Sequence, residues 1–231
     1  MVLTPRLEAI AQQVTIGCRF ADIGTDHAYL PVELLLRGVL DHAIAADLRT
    51  GPLERAKQTA LQFGVENRIS FRLCDGLTGI AQEEVDTIAI AGMGGDTIAA
   101  ILAAAPWTYQ NKKQLILQPM SKSYSLRNWL QIHGYQILQE QIVREGKRLY
   151  SIWNVKAGNV CPQTLGELWA GKQSEDPLRV PYLESRISKA EKALLGQVSA
   201  SQKDETAIAF LQQVLSELYT MKSANKKSIG R

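Results

Sequence analysis

Apolar and polar positions along the chain change period twice. From Thr4, TPRLEAIAQQV sets Leu7, Ile10 and Val14 on one helical face behind a threonine cap and a proline at the first helical position. That pattern predicts a short lead-in helix. After Gly17, short apolar runs appear at RFADIG, HAIAADL, ISFRLCDG, DTIAIAG and QLILQPM, separated by LPVELLLRG, PLERAKQTALQFG and DTIAAILAAA. Strands that alternate with crossover segments of this kind predict a parallel sheet covered by helices.

The period changes again near the end of this region. YQILQEQIVREG and RLYSIWNVK read as strands joined by a hairpin turn at Glu145-Gly146-Lys147, an antiparallel edge on the parallel sheet. From about Val155 the pattern breaks at KAGNVCP and then becomes helical. Leu183, Ile187, Ala190, Leu194 and Val198 form one stripe, and Ile208, Leu211, Leu215, Leu218 and Met221 form another. Two long helices turning near Ala200 to Asp204 bury such stripes in a hairpin. The polar, basic end SANKKSIGR predicts fraying. The expected organisation is an α/β domain over 1–157 and a helical extension over 158–231.

Composition narrows the function classes only slightly. The 231 residues are 45% apolar, enough for a packed core. No apolar run approaches the roughly 18 to 20 residues needed to span a bilayer, and MVLTPRLEAI lacks the basic and apolar regions of a secretory leader. A cytoplasmic protein without a membrane partner is expected. Cys18, Cys74 and Cys161 are far apart and lack C-x-x-C spacing, so neither disulfide nor metal is expected, and all three read as buried small hydrophobes. The net charge of +3 leaves the partner open.

The chemistry concentrates at the strand ends, where open parallel sheets bind ligands. The first ends in Asp22-Ile23-Gly24-Thr25-Asp26, the second in Asp47, the third in Asp75-Gly76, and the fourth in AGMGG, residues 91 to 95. Asp47 falls 23 positions after Gly24, near the roughly 20-residue offset at which a carboxylate accepts hydrogen bonds from a ribose diol. A dinucleotide site also needs G-x-G-x-x-G to cradle a pyrophosphate. Here only Gly24 is present, and Asp26 and Tyr29 follow it. Carboxylates repel a pyrophosphate and attract a cation, so the loop suits S-adenosylmethionine, which joins an ammonium and a sulfonium to adenosine. Asp75 would then accept the cofactor's adenine amine, with Leu77 over the ring. The three glycines at 92, 94 and 95 allow close approach of a flat substrate, with Met93 as a soft wall.

Together, RLEAIA, DIGTDHAYLP, AADL, CDG, AGMGG, LQPM, the RNWL helix and the helical C-terminal pair closely resemble the bacterial TrmK-type tRNA adenine-N1 methyltransferases. The resemblance implies a Rossmann-like class I methyltransferase sheet with an antiparallel edge, plus a C-terminal helical hairpin. It also implies S-adenosylmethionine as cofactor and adenine 22 of the tRNA D-loop as target. Asp22, Gly24, Asp47, Asp75, Gly76, Gly92 and Met93 would line the cofactor site, and Arg6 would neutralise the cofactor's carboxylate.

Adenine N1 carries an in-plane lone pair, so methylation needs positioning and electrostatics rather than a strong base. Asp26, then His27, are the candidates to stabilise the ring as it becomes cationic. N1 lies on the pairing edge, so the base must be unpaired or flipped. Tyr29 and Gly94 would receive it. Lys122, Arg127, Arg144 and Arg148, with Lys112, Lys113, Lys147, Arg186, Lys189 and Lys192, would meet the tRNA backbone. A monomer is expected. A noncatalytic RNA-binding or cofactor-sensing protein on the same fold stays open at this point, as does, more remotely, an NAD-dependent oxidoreductase.

Overall fold

Runs of Ala, Ile and Leu with no polar alternation form strands only where both faces of a sheet are covered, and the five central runs do so. The computed structural model describes residues 1–172 and 175–229, with side chains through Asn225. Strands β1 (Phe20–Ile23), β2 (Ala43–Asp47), β3 (Ile69–Leu73), β4 (Thr87–Gly94) and β5 (Gln114–Ser121) are parallel. With β6 (Tyr135–Glu145) and β7 (Arg148–Ala157) they form a seven-stranded sheet of order β3-β2-β1-β4-β5-β7-β6.

Strand alternation divides the core into two layers. Phe20, Ala45, Ala89 and Ile116 pack with α1 (Pro5–Ala11), α2 (Tyr29–Leu36) and α3 (Thr50–Gln62). Ala21, Ile23, Ile90 and Leu117 pack on the opposite face with α4 (Gly95–Ala103) and α6 (Ser123–Ile132). A one-turn helix, α5 (Trp107–Gln110), precedes β5. Thr4 caps α1 by accepting from the Leu7 N–H at 3.5 Å. The helix stops at Ala11, before Val14, which is buried nonetheless.

Two topological facts position the site. The chain steps from β1 outward to β2 and β3, then crosses back to β4 and β5 on the other side, so the order reverses between β1 and β4. The edge strands are antiparallel, with Leu117 opposite Trp153 and Glu145 opposite Arg148. The turn is therefore Gly146-Lys147, with Gly146 at φ +57°, and it lies beyond the carboxyl end of β5, on the side where all five parallel strands finish.

The units of the chain are Met1–Val160 and Cys161–Arg231. In the second, a capping box of Thr164 and Glu167 starts α7 (Leu165–Ala170). Buried Arg179 donates to the Ala170 and Gly171 carbonyls at 2.5 and 2.8 Å, closing that helix's C-terminal end. Helices α8 (Arg179–Val198) and α9 (Glu205–Ile229) pack against each other, and Leu183, Ile187, Ala190, Leu211 and Leu218 of the two are buried. The stripe expected to reach Val198 stops short, for Val198 is 43% exposed and Leu195 beside it is also exposed. The stretch expected to fray continues as helix to Ile229, while Gly230 and Arg231 lie outside the described residues. Cys161 is exposed, contrary to the expectation of burial, because it sits in the irregular segment before α7.

Candidate functional site

The carboxyl ends of β1 and β4 flank the point where the strand order reverses, so DIGTD and AGMGG face one crevice. After Ile23 the backbone turns at Gly24, with φ +78°, and the Gly24 and Thr25 N–H groups both donate to the Ala46 carbonyl at 2.8 and 3.0 Å. This ties the first loop to the end of β2 and brings Asp22 near Asp47. Asp22 keeps a partial opening to the surface. Even so, burial pushes its carboxyl up to about 6, opposed by the Thr25 side chain and reinforced by the neighbouring charge of Asp47. A half-buried carboxyl beside a second one is a site that a cation completes.

Asp47 is 9% exposed and accepts from the Arg49 N–H at 2.8 Å, with the Arg49 guanidinium at 3.7 Å. Its carboxylate is thereby fixed at the strand end. Asp75 is exposed in a turn in which its carbonyl accepts from the Thr78 N–H and hydroxyl. Gly76 is at φ +55°, and a methyl there would lie 2.9 Å from an Ile101 carbon. Leu77 points away from the adenine role given it by the sequence: it is 3% exposed and packs in the α4 and α6 core layer.

Opposite this wall, the end of β4 departs from ladder geometry. Ala91, Met93 and Gly94 pair with Gln118, Pro119 and Ser121 of β5, but the register shifts between Ala91 and Met93 and again between Met93 and Gly94, and Gly92 adopts φ +78°. The Met93 methyl lies where a Gly24 side chain would be, 2.0 Å from an added carbon. The Met93 side chain is flexible and its end can give way, so Gly24 is required chiefly by its own backbone angle. Arg6 reaches this loop from α1, donating to Gln118 Oε1 at 2.9 Å, with Tyr150 beneath its guanidinium at 5.5 Å and its backbone N–H on Glu145. The Gly92 N–H donates to the same Gln118 oxygen at 3.1 Å.

At the mouth, Asp26 is exposed and paired with Arg55 of α3, whose Nε lies 3.1 Å from Asp26 Oδ1. That pairing holds the carboxyl below its ordinary value, and His27, 3.7 Å away, acts in the same direction. The His27 and Tyr29 rings stack at 4.9 Å with 3° between planes. Ala28 between them is held at φ +52°, in the left-handed region that side chains avoid, which sets the two rings side by side.

The basic residues separate into those near the crevice and those elsewhere. Arg144, Lys147 and Arg148 are exposed at the β6–β7 turn on the crevice side. Lys122 is exposed at φ +52° and paired with Asp96 of α4. Arg127 does not meet a phosphate: it is 1% exposed, ion-paired with buried Glu140, and lies 4.0 Å over the Trp153 ring. Its position on the inner face of α6 converts a basic residue into a core element. Lys112 and Lys113 precede β5, at the end of the sheet opposite the crevice, and Lys113 is 9% exposed. In the second unit, Arg186 lies over Tyr182 at 4.5 Å, and its charge, followed by burial, lowers the affinity of Lys189 for its proton.

Sequence reasoning missed Gln118 and Arg55. Gln118 stood inside the quoted LQPM motif, as a polar residue interrupting an apolar strand, which is a usable signal. Arg55 carries none, because only the fold brings α3 beside the β1–α2 loop. Among the described residues, no three His, Cys, Asp or Glu side chains cluster as metal ligands, and no helix is long and apolar enough to cross a membrane.

Known proteins resemble this chain in sequence and fold. A family profile described as a methyltransferase domain matches residues 3–153. The tRNA (adenine(22)-N(1))-methyltransferase of Bacillus subtilis is 39% identical over 157 residues, a match spanning 68% of this chain and 66% of that protein. The crystal structure of B. subtilis TrmK, an M1A22 tRNA methyltransferase, is 29% identical with a TM-score of 0.78, covering 98% of each chain. Streptococcus pneumoniae Sp1610, solved in complex with S-adenosyl-L-methionine, is 36% identical with a TM-score of 0.79, covering 93% of this chain and all of that one. Strand-end carboxylates, a glycine loop at the switch point and a helical second unit thus coincide with similarity over nearly the whole length, and the chain belongs to the methyltransferase-domain family and, within it, to the TrmK group.

Proposed function

We propose that this protein methylates N1 of adenine 22 in tRNA with S-adenosylmethionine as methyl donor. The observation that carries the reading is the pair of carboxylates, Asp22 and Asp47, joined at the switch point by a loop with no pyrophosphate cradle. The donor set fits the cofactor: Asp22 offers a charge to its cationic end, Asp47 two acceptors to its ribose, and Arg6 a guanidinium to its carboxylate. Asp75, Gly76, Gly92 and Met93 complete the lining. Bound there, S-adenosylmethionine supplies an electrophilic methyl group, whose transfer to adenine N1 moves the positive charge from sulfur to the ring.

The chain's own groups then act on the target base. The stacked His27 and Tyr29 rings offer a π surface for an extruded adenine, and the Gly92 to Gly94 backbone admits its edge. Asp26, kept ionised by Arg55, stabilises the ring electrostatically as it becomes cationic and is a weak base. His27 is the second candidate to accept from the adenine amine. Arg144, Arg148 and, once released from Asp96, Lys122 hold backbone phosphates. The Arg186 and Lys189 pair on α8 adds a concentrated positive field in the second unit. We infer a monomer acting in the cytoplasm, where tRNA resides.

Incubation of unmodified tRNA with methyl-labelled cofactor, followed by nucleoside mass spectrometry, tests the reading. One equivalent of 1-methyladenosine is expected, and none on tRNA carrying guanosine at position 22. Label at another base, or none although S-adenosylhomocysteine binds, overturns it.

A further inference from the structure

Gln118 is fully buried on β5, a strand that otherwise presents Leu115, Ile116 and Leu117 to the core. It pairs in register with Ala91, the last residue of β4 before the register shifts. At that shift the Gly92 N–H leaves the regular ladder, and the Gln118 side-chain oxygen accepts it at 3.1 Å. The same oxygen accepts from Arg6 Nη1 at 2.9 Å. The amide nitrogen donates to the Pro119 carbonyl at 3.1 Å and faces the Met120 sulfur at 3.6 Å. With two donors on one end and acceptors at the other, only one orientation of the amide satisfies every group.

We propose that Gln118 is a positioning residue for methyl transfer. Its carboxamide oxygen locks Arg6 of α1 to the glycine loop of β4, so that the guanidinium meeting the cofactor's carboxylate and the backbone beside the target base are held as one body. The inference rests on the methyltransferase reading and deepens it. Glutamine suits the position because two donors need an acceptor and the Pro119 carbonyl needs a donor. Leucine offers neither. Glutamate keeps the acceptor but brings a carboxylate into competition with the cofactor's for Arg6, and it faces a carbonyl with no hydrogen to give.

The test uses the full chain with Gln118→Leu, Gln118→Glu and Arg6→Ala. Two ligands are compared by calorimetry: S-adenosylhomocysteine, and 5′-methylthioadenosine, which lacks the amino-acid portion. Gln118→Leu is expected to weaken S-adenosylhomocysteine roughly tenfold and leave 5′-methylthioadenosine within about twofold. Combined with Arg6→Ala it adds little to the loss from Arg6→Ala alone, since both break one linkage. At saturating cofactor the single-turnover rate falls by roughly ten- to a hundredfold, because the glycine loop is also released. If Gln118→Leu does not fold, Gln118→Glu carries the test, with the same selective loss for S-adenosylhomocysteine. Equal losses for the two ligands, or losses that add to that of Arg6→Ala, reduce Gln118 to a structural residue and overturn the proposal. A wild-type protein that binds S-adenosylhomocysteine but does not methylate adenine 22 defeats the function instead and leaves this comparison decisive for the linkage.

Discussion

Asp22 and Asp26 are two carboxylates four positions apart whose surroundings drive them in opposite directions. Burial lifts Asp22 to about 6, whereas the Arg55 guanidinium holds Asp26 low. Folding therefore favours a protonated Asp22, a contribution present below about pH 4 and lost as the pH rises through about 6. A cationic ligand has the opposite preference and binds the ionised form. The affinity for S-adenosylmethionine is accordingly expected to be about tenfold weaker at pH 5 than at pH 7.5 and level above neutrality, as followed by calorimetry. Asp22→Asn should flatten that profile. A wild-type profile already flat from pH 5 to 7.5 would remove Asp22 from the cation's surroundings. Asp26 is present in its charged form through this range, so the electrostatic role proposed for it is expected to be independent of pH there.

At the scale of elements, the crevice depends on how closely α4 approaches the start of α6. Gly95 opens α4, and a methyl on it would lie 2.4 Å from the Lys122 carbonyl and 3.1 Å from Leu126 Cβ. The backbone carbonyl cannot swing aside as a flexible side chain would. Gly95→Ala is expected to cost about 1 to 3 kcal/mol by forcing the two elements apart, measured as a lowered urea midpoint. Gly94→Ala, whose added carbon meets only side-chain hydroxyls, Ser121 at 3.4 Å and Thr97 at 3.8 Å, should be milder. Equal midpoints for the two variants would show that the α4–α6 contact relaxes freely. The same closeness explains why AGMGG needs glycine at positions of different kinds, Gly92 for its backbone angle and Gly95 for helix approach.

For the whole molecule, residues 1–160 hold the sheet, both core layers and every proposed cofactor ligand. The second unit carries its own capping box, buried arginine clasp and helical pair. A chain ending at Val160 is expected to bind S-adenosylhomocysteine like the full chain and to methylate tRNA at least tenfold more slowly, because the Arg186 and Lys189 field is gone. Normal methylation by a folded 1–160 protein would make α7 to α9 dispensable for substrate docking.

The linear pattern was enough to determine the seven strands, the crossover helices and the helical pair, because period two and period 3.6 are local properties that burial enforces. It also determined the strand-end residues Asp22, Asp47, Asp75 and the glycine run, since a parallel sheet puts successive strand ends on one side whatever their order. Tertiary structure alone decided which charges are paired or buried. Arg127 reads as surface charge yet lies inside against Glu140 and Trp153, and Lys113 falls at the wrong end of the sheet. Asp26 gained Arg55 from a helix 29 positions away, and Gln118 gained Arg6 and Gly92 through three separate elements. Such pairings are set by strand order and helix crossing, which join residues distant in sequence, and no local period encodes them.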